Sequence, residues 1–202
     1  MSPSDSARDD LAYLKSLVEP GDDFSRSFGR AYFAAGLCYG GQILLHGGQY
    51  LNWIRGELAG LLIGFGPTMV FLAILFWWIN RRSTARPNLA NRAVGGVFAA
   101  AGAANVVLVL IIGLVAWRKQ SFDIWLIYPC TVVVMQGAAW LVASQVRRRT
   151  WFLLVSLGWF ATGVGMGLMI SNIAAYLAIL GLGMFAFMVI PGAVMMRQAR
   201  AA

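Results

Sequence analysis

One histidine stands in this chain of 202 residues, and the polar side chains around it are the first place to look for chemistry. Cys38, Gln42, His46 and Gln49 follow steps of four, four and three, which lays them along one face of a helix. An imidazole in such a place can hold a haem iron opposite a methionine, and Met166 and Met169 fall at a similar depth. Shared depth is the only support for haem ligation, and a second histidine is missing. A hydrogen-bonded His46 lining a helix bundle is the better reading, and no cofactor is expected.

The two cysteines, Cys38 and Cys130, lie within apolar runs and have no metal-type spacing to a histidine. They differ in height by about 13 Å when counted by helical rise, whereas a disulfide needs a Cα separation under about 7 Å. Neither a metal site nor a bridge is expected. The chain also lacks paired carboxylates and a grouped Ser/His/Asp set. Glu57 and Asp123 stand at the starts of apolar runs, where water can solvate them. The sequence therefore predicts a protein that is not an enzyme.

The elements that must position these side chains are membrane spans. Hydrophobic residues make up 59% of the chain and charged residues 12%, about half the charge a soluble domain carries. A net charge of +8 raises the question of nucleic acid. The basic residues, however, sit between long apolar runs, as a bilayer topology requires, so nucleic-acid binding is not expected. A spanning helix needs about 20 apolar residues, and runs free of Asp, Glu, Lys and Arg occur at 31–50, 58–79, 93–117, 124–146, 151–170 and 173–195. The last two are separated only by Ser171 and Asn172. Unbroken, they would make a helix about 67 Å long by helical rise, so the chain must turn there.

Lysine and arginine set the orientation. With the N-terminus inside, thirteen of the sixteen basic residues fall in cytoplasmic segments, and only Arg55, Arg118 and Lys119 fall outside. The expected architecture is an all-α integral membrane protein, a bundle of six spans in three antiparallel hairpins (residues 30–202), with both termini in the cytoplasm of a bacterial inner membrane. Six of the eight tryptophans lie at span ends, where indole favours the headgroup layer; Trp140 and Trp159 lie inside spans.

Residues 1–29 form a cytoplasmic segment. A capping-box-like start at Ser6-Ala-Arg-Asp9, apolar Leu11, Leu14, Leu17 and Val18, and a stop at Pro20-Gly21 predict a short amphipathic helix over 6–19. Six of the eight acidic residues lie in this segment. Such a helix can lie at the bilayer interface, fold back on the protein's own basic loops, or dock a cytoplasmic protein through residues 1–21.

Within the spans, Gly36-xxx-Gly40, Gly60-xxx-Gly64 and Gly163-xxx-Gly167 suit close helix packing, and Pro67, Pro129 and Pro191 can each kink a helix. Depth is the more informative pattern. Gln42, Thr68, Asn105, Gln136 and Thr162 each lie ten to twelve residues from the cytoplasmic end of their span, near the bilayer midplane. Facing lipid they would be costly, so they should face inward. Together with His46 and Gln49 they form either an interhelical hydrogen-bond layer or a site for a small polar ligand. With no ionisable residue at that level, a carboxylate proton relay is not expected. The expected function is that of an accessory or regulatory membrane subunit acting through protein contacts, with the bilayer and a second copy of the chain as further partners. The alternative is a small transporter or channel for a neutral or weakly polar solute.

Overall fold

The structure, a computed structural model, describes residues 22–80 and 89–201. The amphipathic helix expected over 6–19 lies outside the described residues, as do Arg81, Arg82 and Arg86. Every regular element among the described residues is helical: α1 (Asp22–Tyr50), α2 (Glu57–Asn80), α3 (Leu89–Lys119), α4 (Phe122–Arg147), α5 (Thr150–Leu168), α6 (Ile173–Met184), a π-helical turn (Phe185–Val189) and α7 (Ile190–Ala201). The last three run on as one rod, so the described residues fold into six rods.

The breaks between rods have local causes. Arg148 adopts a left-handed backbone (φ 50°) that ends α4, and α5 begins two residues later at Thr150. The long apolar run turns at Ser171-Asn172 as its length demands. The Asn172 side chain accepts the Ala175 N–H at 3.1 Å, which caps α6. In the sixth rod Pro191 has no N–H for the carbonyl of Phe187, four residues back. Just before it the backbone widens into the π turn, where the Ile190 N–H reaches five residues back to Phe185 O.

Five rods are long and apolar enough to cross a membrane: α2, α3, α4, α5 and the sixth rod. The first rod, α1, has the length but not the apolarity, because Gln42, His46 and Gln49 line it and Arg26 and Arg30 stand near its start. The two outlying rods, α2 and α3, pack chiefly on α1 and α4 respectively. They leave Leu58, Leu61, Phe65, Phe76, Val106, Leu110 and Ile111 exposed. In water such surfaces would drive aggregation, whereas in hydrocarbon they match their surroundings. The core forms where α1, α4, α5 and the sixth rod meet, around Tyr32, Trp140, Trp159, Met166 and Tyr176.

Packing in that core depends on glycine at a few close crossings. A Cβ at Gly192 would lie 2.6 Å from Phe33 N and 2.9 Å from Gly29 O, both backbone atoms that cannot rotate away. One at Gly36 would meet Val189 N at 2.9 Å. The first and last rods thus touch backbone to backbone, and the Gly36-xxx-Gly40 pair faces the π turn through Val189 and Phe185. Gly163 of the third motif packs against Val133 and Val134 of α4, while Gly167 meets open space.

Alanine at Gly192 should therefore destabilise the fold by about 1–3 kcal/mol through overpacking. Alanine at Gly102, which has nothing within 4 Å of its Cβ position, should be neutral or slightly stabilising. Thermal unfolding of both variants in one detergent, followed by circular dichroism, checks the contrast.

Candidate functional site

The Tyr32 phenol is a buried polar group on which three side chains of the core converge. Its oxygen accepts the Trp140 Nε1–H at 2.6 Å and the Trp159 Nε1–H at 3.1 Å, and its own O–H is directed to Gln136 Oε1 at 3.4 Å. Both tryptophans are 0% exposed and Tyr32 is 5% exposed. One hydroxyl therefore ties α1 to α4 and α5. The rings of Phe28, Phe98 and Phe152 close around it, Phe152 meeting Trp140 edge to face at a centroid distance of 4.9 Å. The cavity these rings share with Ser25 and Arg147 holds about 10 Å³, room for one water at most.

Four of the five mid-depth side chains hydrogen-bond a partner, and those partners differ. Gln42 donates from Nε2 to Gly64 O of α2 at 2.9 Å. Thr68 stands near the Tyr39 hydroxyl of α1. Asn105 Oδ1 accepts from the Tyr128 hydroxyl of α4 at 2.8 Å, and Gln136 faces Tyr32. Thr162 donates to Gly158 O within its own helix at 2.8 Å, with its methyl against Gly183 of α6. His46 Nδ1 and Gln49 Oε1 lie 2.9 Å apart, one turn along α1. The structure thus joins six of the seven candidate residues to partners, across α1–α2, α3–α4, α1–α4 and within α1 and α5.

Two of these ties serve prolines. Proline lacks an N–H and pushes the preceding turn open, which weakens the helical bonds of the carbonyls three and four residues before it. Gly64 lies three residues before Pro67, and its oxygen takes the Gln42 amide. Leu126 lies three residues before Pro129, and its oxygen takes the Tyr176 hydroxyl at 2.7 Å. Each bond comes from a neighbouring rod, so a local weakness becomes a contact between helices. Cys130 Sγ sits 3.8 Å from that same Tyr176 oxygen.

At the end of the bundle where α1 and α3 begin and α4 and α7 finish, arginines make the ties. Arg147 donates to Asn91 Oδ1 at 2.6 Å and to Ser25 Oγ at 3.1 Å. Arg26 donates to Ala199 O at 2.7 Å and Arg149 to Gln198 Oε1 at 2.9 Å.

Sequence reasoning picked out the amides and threonines but not the tyrosines that complete them. Tyr32, Tyr128 and Tyr176 supply the second partner in three of these ties. Position gave little signal: Tyr32 is the second residue of its apolar run, and Tyr128 and Tyr176 are the fifth and fourth of theirs, where an interfacial tyrosine is equally at home.

Fold and surface together define a helical, multi-pass membrane protein. The chain matches no family model, no curated protein and no solved structure.

Phenylalanine at Tyr32 would leave two buried indole N–H groups without an acceptor, at about 1–3 kcal/mol each. The expected loss of stability is several times that of Tyr128→Phe, which removes one interhelical bond worth about 0.6 kcal/mol. Unfolding followed by tryptophan fluorescence separates the two variants.

Proposed function

We propose that the protein is a non-catalytic, multi-pass protein of a bacterial inner membrane, an accessory or regulatory subunit that acts through protein contacts. In this reading α1 is a sixth crossing, the rods pair as three antiparallel hairpins, and both termini are cytoplasmic, following the thirteen-to-three distribution of basic residues. The observation that carries the reading is the pairing of the mid-depth polar groups. Gln42, Asn105 and Gln136 are each engaged with a neighbouring helix, so their chemistry is accounted for by holding the bundle together. What remains available for recognition is the cytoplasmic face, with the acidic, amphipathic residues 1–21 as the contact to a partner. Self-association is a further expectation of the same reading.

Deleting residues 1–21 is expected to release proteins that copurify with the full chain from native membrane in mild detergent, as read by quantitative mass spectrometry. An unchanged set of copurifying proteins would refute the assignment.

A second reading, transport of a neutral or weakly polar solute, is favoured by one feature. Thr68 and Asn105 lie on the two outlying rods, Thr68 near Tyr39 and Asn105 bonded to Tyr128, so a mid-depth path between α2 and α3 would be lined by polar groups. On this reading, sealed vesicles holding the protein take up solute, and Asn105→Leu abolishes the flux while leaving the helical spectrum intact. No flux above protein-free vesicles for any neutral solute offered removes it.

A further inference from the structure

The arginine-bearing end of the bundle is drawn together by its own hydrogen bonds. Arg147 reaches Asn91, beside Arg92, and Ser25, beside Arg26; Arg26 reaches Ala199, and Arg149 reaches Gln198, beside Arg197. The acceptors taken by Arg26 and Arg149 are neutral. Arg92, Arg148 and Arg197 are exposed and form no hydrogen bond or ion pair among the described residues. Four rod ends therefore present several guanidinium groups at one level. That is the level where the charge-free apolar runs of the sequence end.

We propose that this end is a binding surface for anionic phospholipid, with Arg148, Arg149 and Arg197 gripping headgroup phosphates. The chemistry favours that occupant. A guanidinium fork matches phosphate oxygens two at a time, and basic clusters at the cytoplasmic ends of spanning helices hold anionic headgroups. The chain's own N-terminal segment is the weaker counterion. Residues 1–21 carry four acidic residues (Asp5, Asp9, Asp10, Glu19) and two basic ones (Arg8, Lys15), and Asp22 and Asp23 follow at the start of α1, so 6 − 2 leaves four net negative side-chain charges against the eight arginines of this end (Arg26, Arg30, Arg92, Arg147, Arg148, Arg149, Arg197 and Arg200).

The test uses the full chain in mild detergent, offered equal amounts of phosphatidylglycerol and phosphatidylcholine, with retained lipid counted by native mass spectrometry. The wild type is expected to retain phosphatidylglycerol preferentially. The preference should fall by about tenfold in the triple variant Arg148→Gln, Arg149→Gln, Arg197→Gln. The matching triple lysine variant keeps the charge and should keep most of the preference, which covers the case in which the glutamine variant does not fold. The variant Arg118→Gln, Lys119→Gln at the opposite end should behave as wild type. Equal retention of the two lipids by the wild type overturns the proposal, as does an equal loss in both glutamine variants. A preference that emerges only when residues 2–21 are removed also overturns it and gives these arginines to the chain's own acidic segment.

Discussion

The Tyr32 hydroxyl is the point on which the core depends. Two indole N–H groups end on one oxygen, in surroundings with room for one water at most. Each tryptophan is fixed in rotation by that bond, and each in turn shapes the apolar wall that its neighbours pack on. Trp140 touches Phe28, Phe98, Trp151 and Phe152, and Trp159 touches Phe187. A single donor–acceptor centre thus sets the relative rotation of α1, α4 and α5 about their own axes. Apolar packing alone specifies rotation poorly, because hydrocarbon outside and side chains inside are alike to a leucine.

The remaining polar groups follow the same logic at lower stakes. Proline opens a helix and leaves carbonyls weakly bonded; the neighbouring rod supplies an amide or a phenol. Glycine removes side chains where two rods cross, so that backbone meets backbone. Phenol, proline and glycine each convert a departure from ideal helix chemistry into a specific neighbour. The outlying rods α2 and α3 carry fewer of these devices and bury least of their surface. Their positions are held by Gln42 on one side and Asn105 on the other.

Much of this architecture is legible in the chain. Long uncharged runs mark the helices, and the turn at Ser171-Asn172 follows from a length no bilayer can hold. Trp140 and Trp159 stand out because they lie inside spans when the other tryptophans sit at the ends, and they prove to be the two that share Tyr32. Other features were not legible, for definite reasons. The tyrosines read as apolar bulk, because a phenol reveals its polarity only when the partner across the bundle is known. The mid-depth layer looked like a ring at one level; depth along a helix is readable from spacing, but the direction each side chain faces depends on helix rotation. The π turn is invisible to a periodicity of 3.6, and its trigger, Pro191, is the same residue that predicts an ordinary kink.

The backbone contact between Gly29 and Gly192 joins the first rod to the last. During synthesis α1 emerges before any of the helices that bury it, and it is the rod whose composition suits hydrocarbon least. Its glycine face has no mate until almost the whole chain has been made. The first helix is therefore a client of the last, and an early stop in translation leaves stranded the segment the membrane accepts least readily.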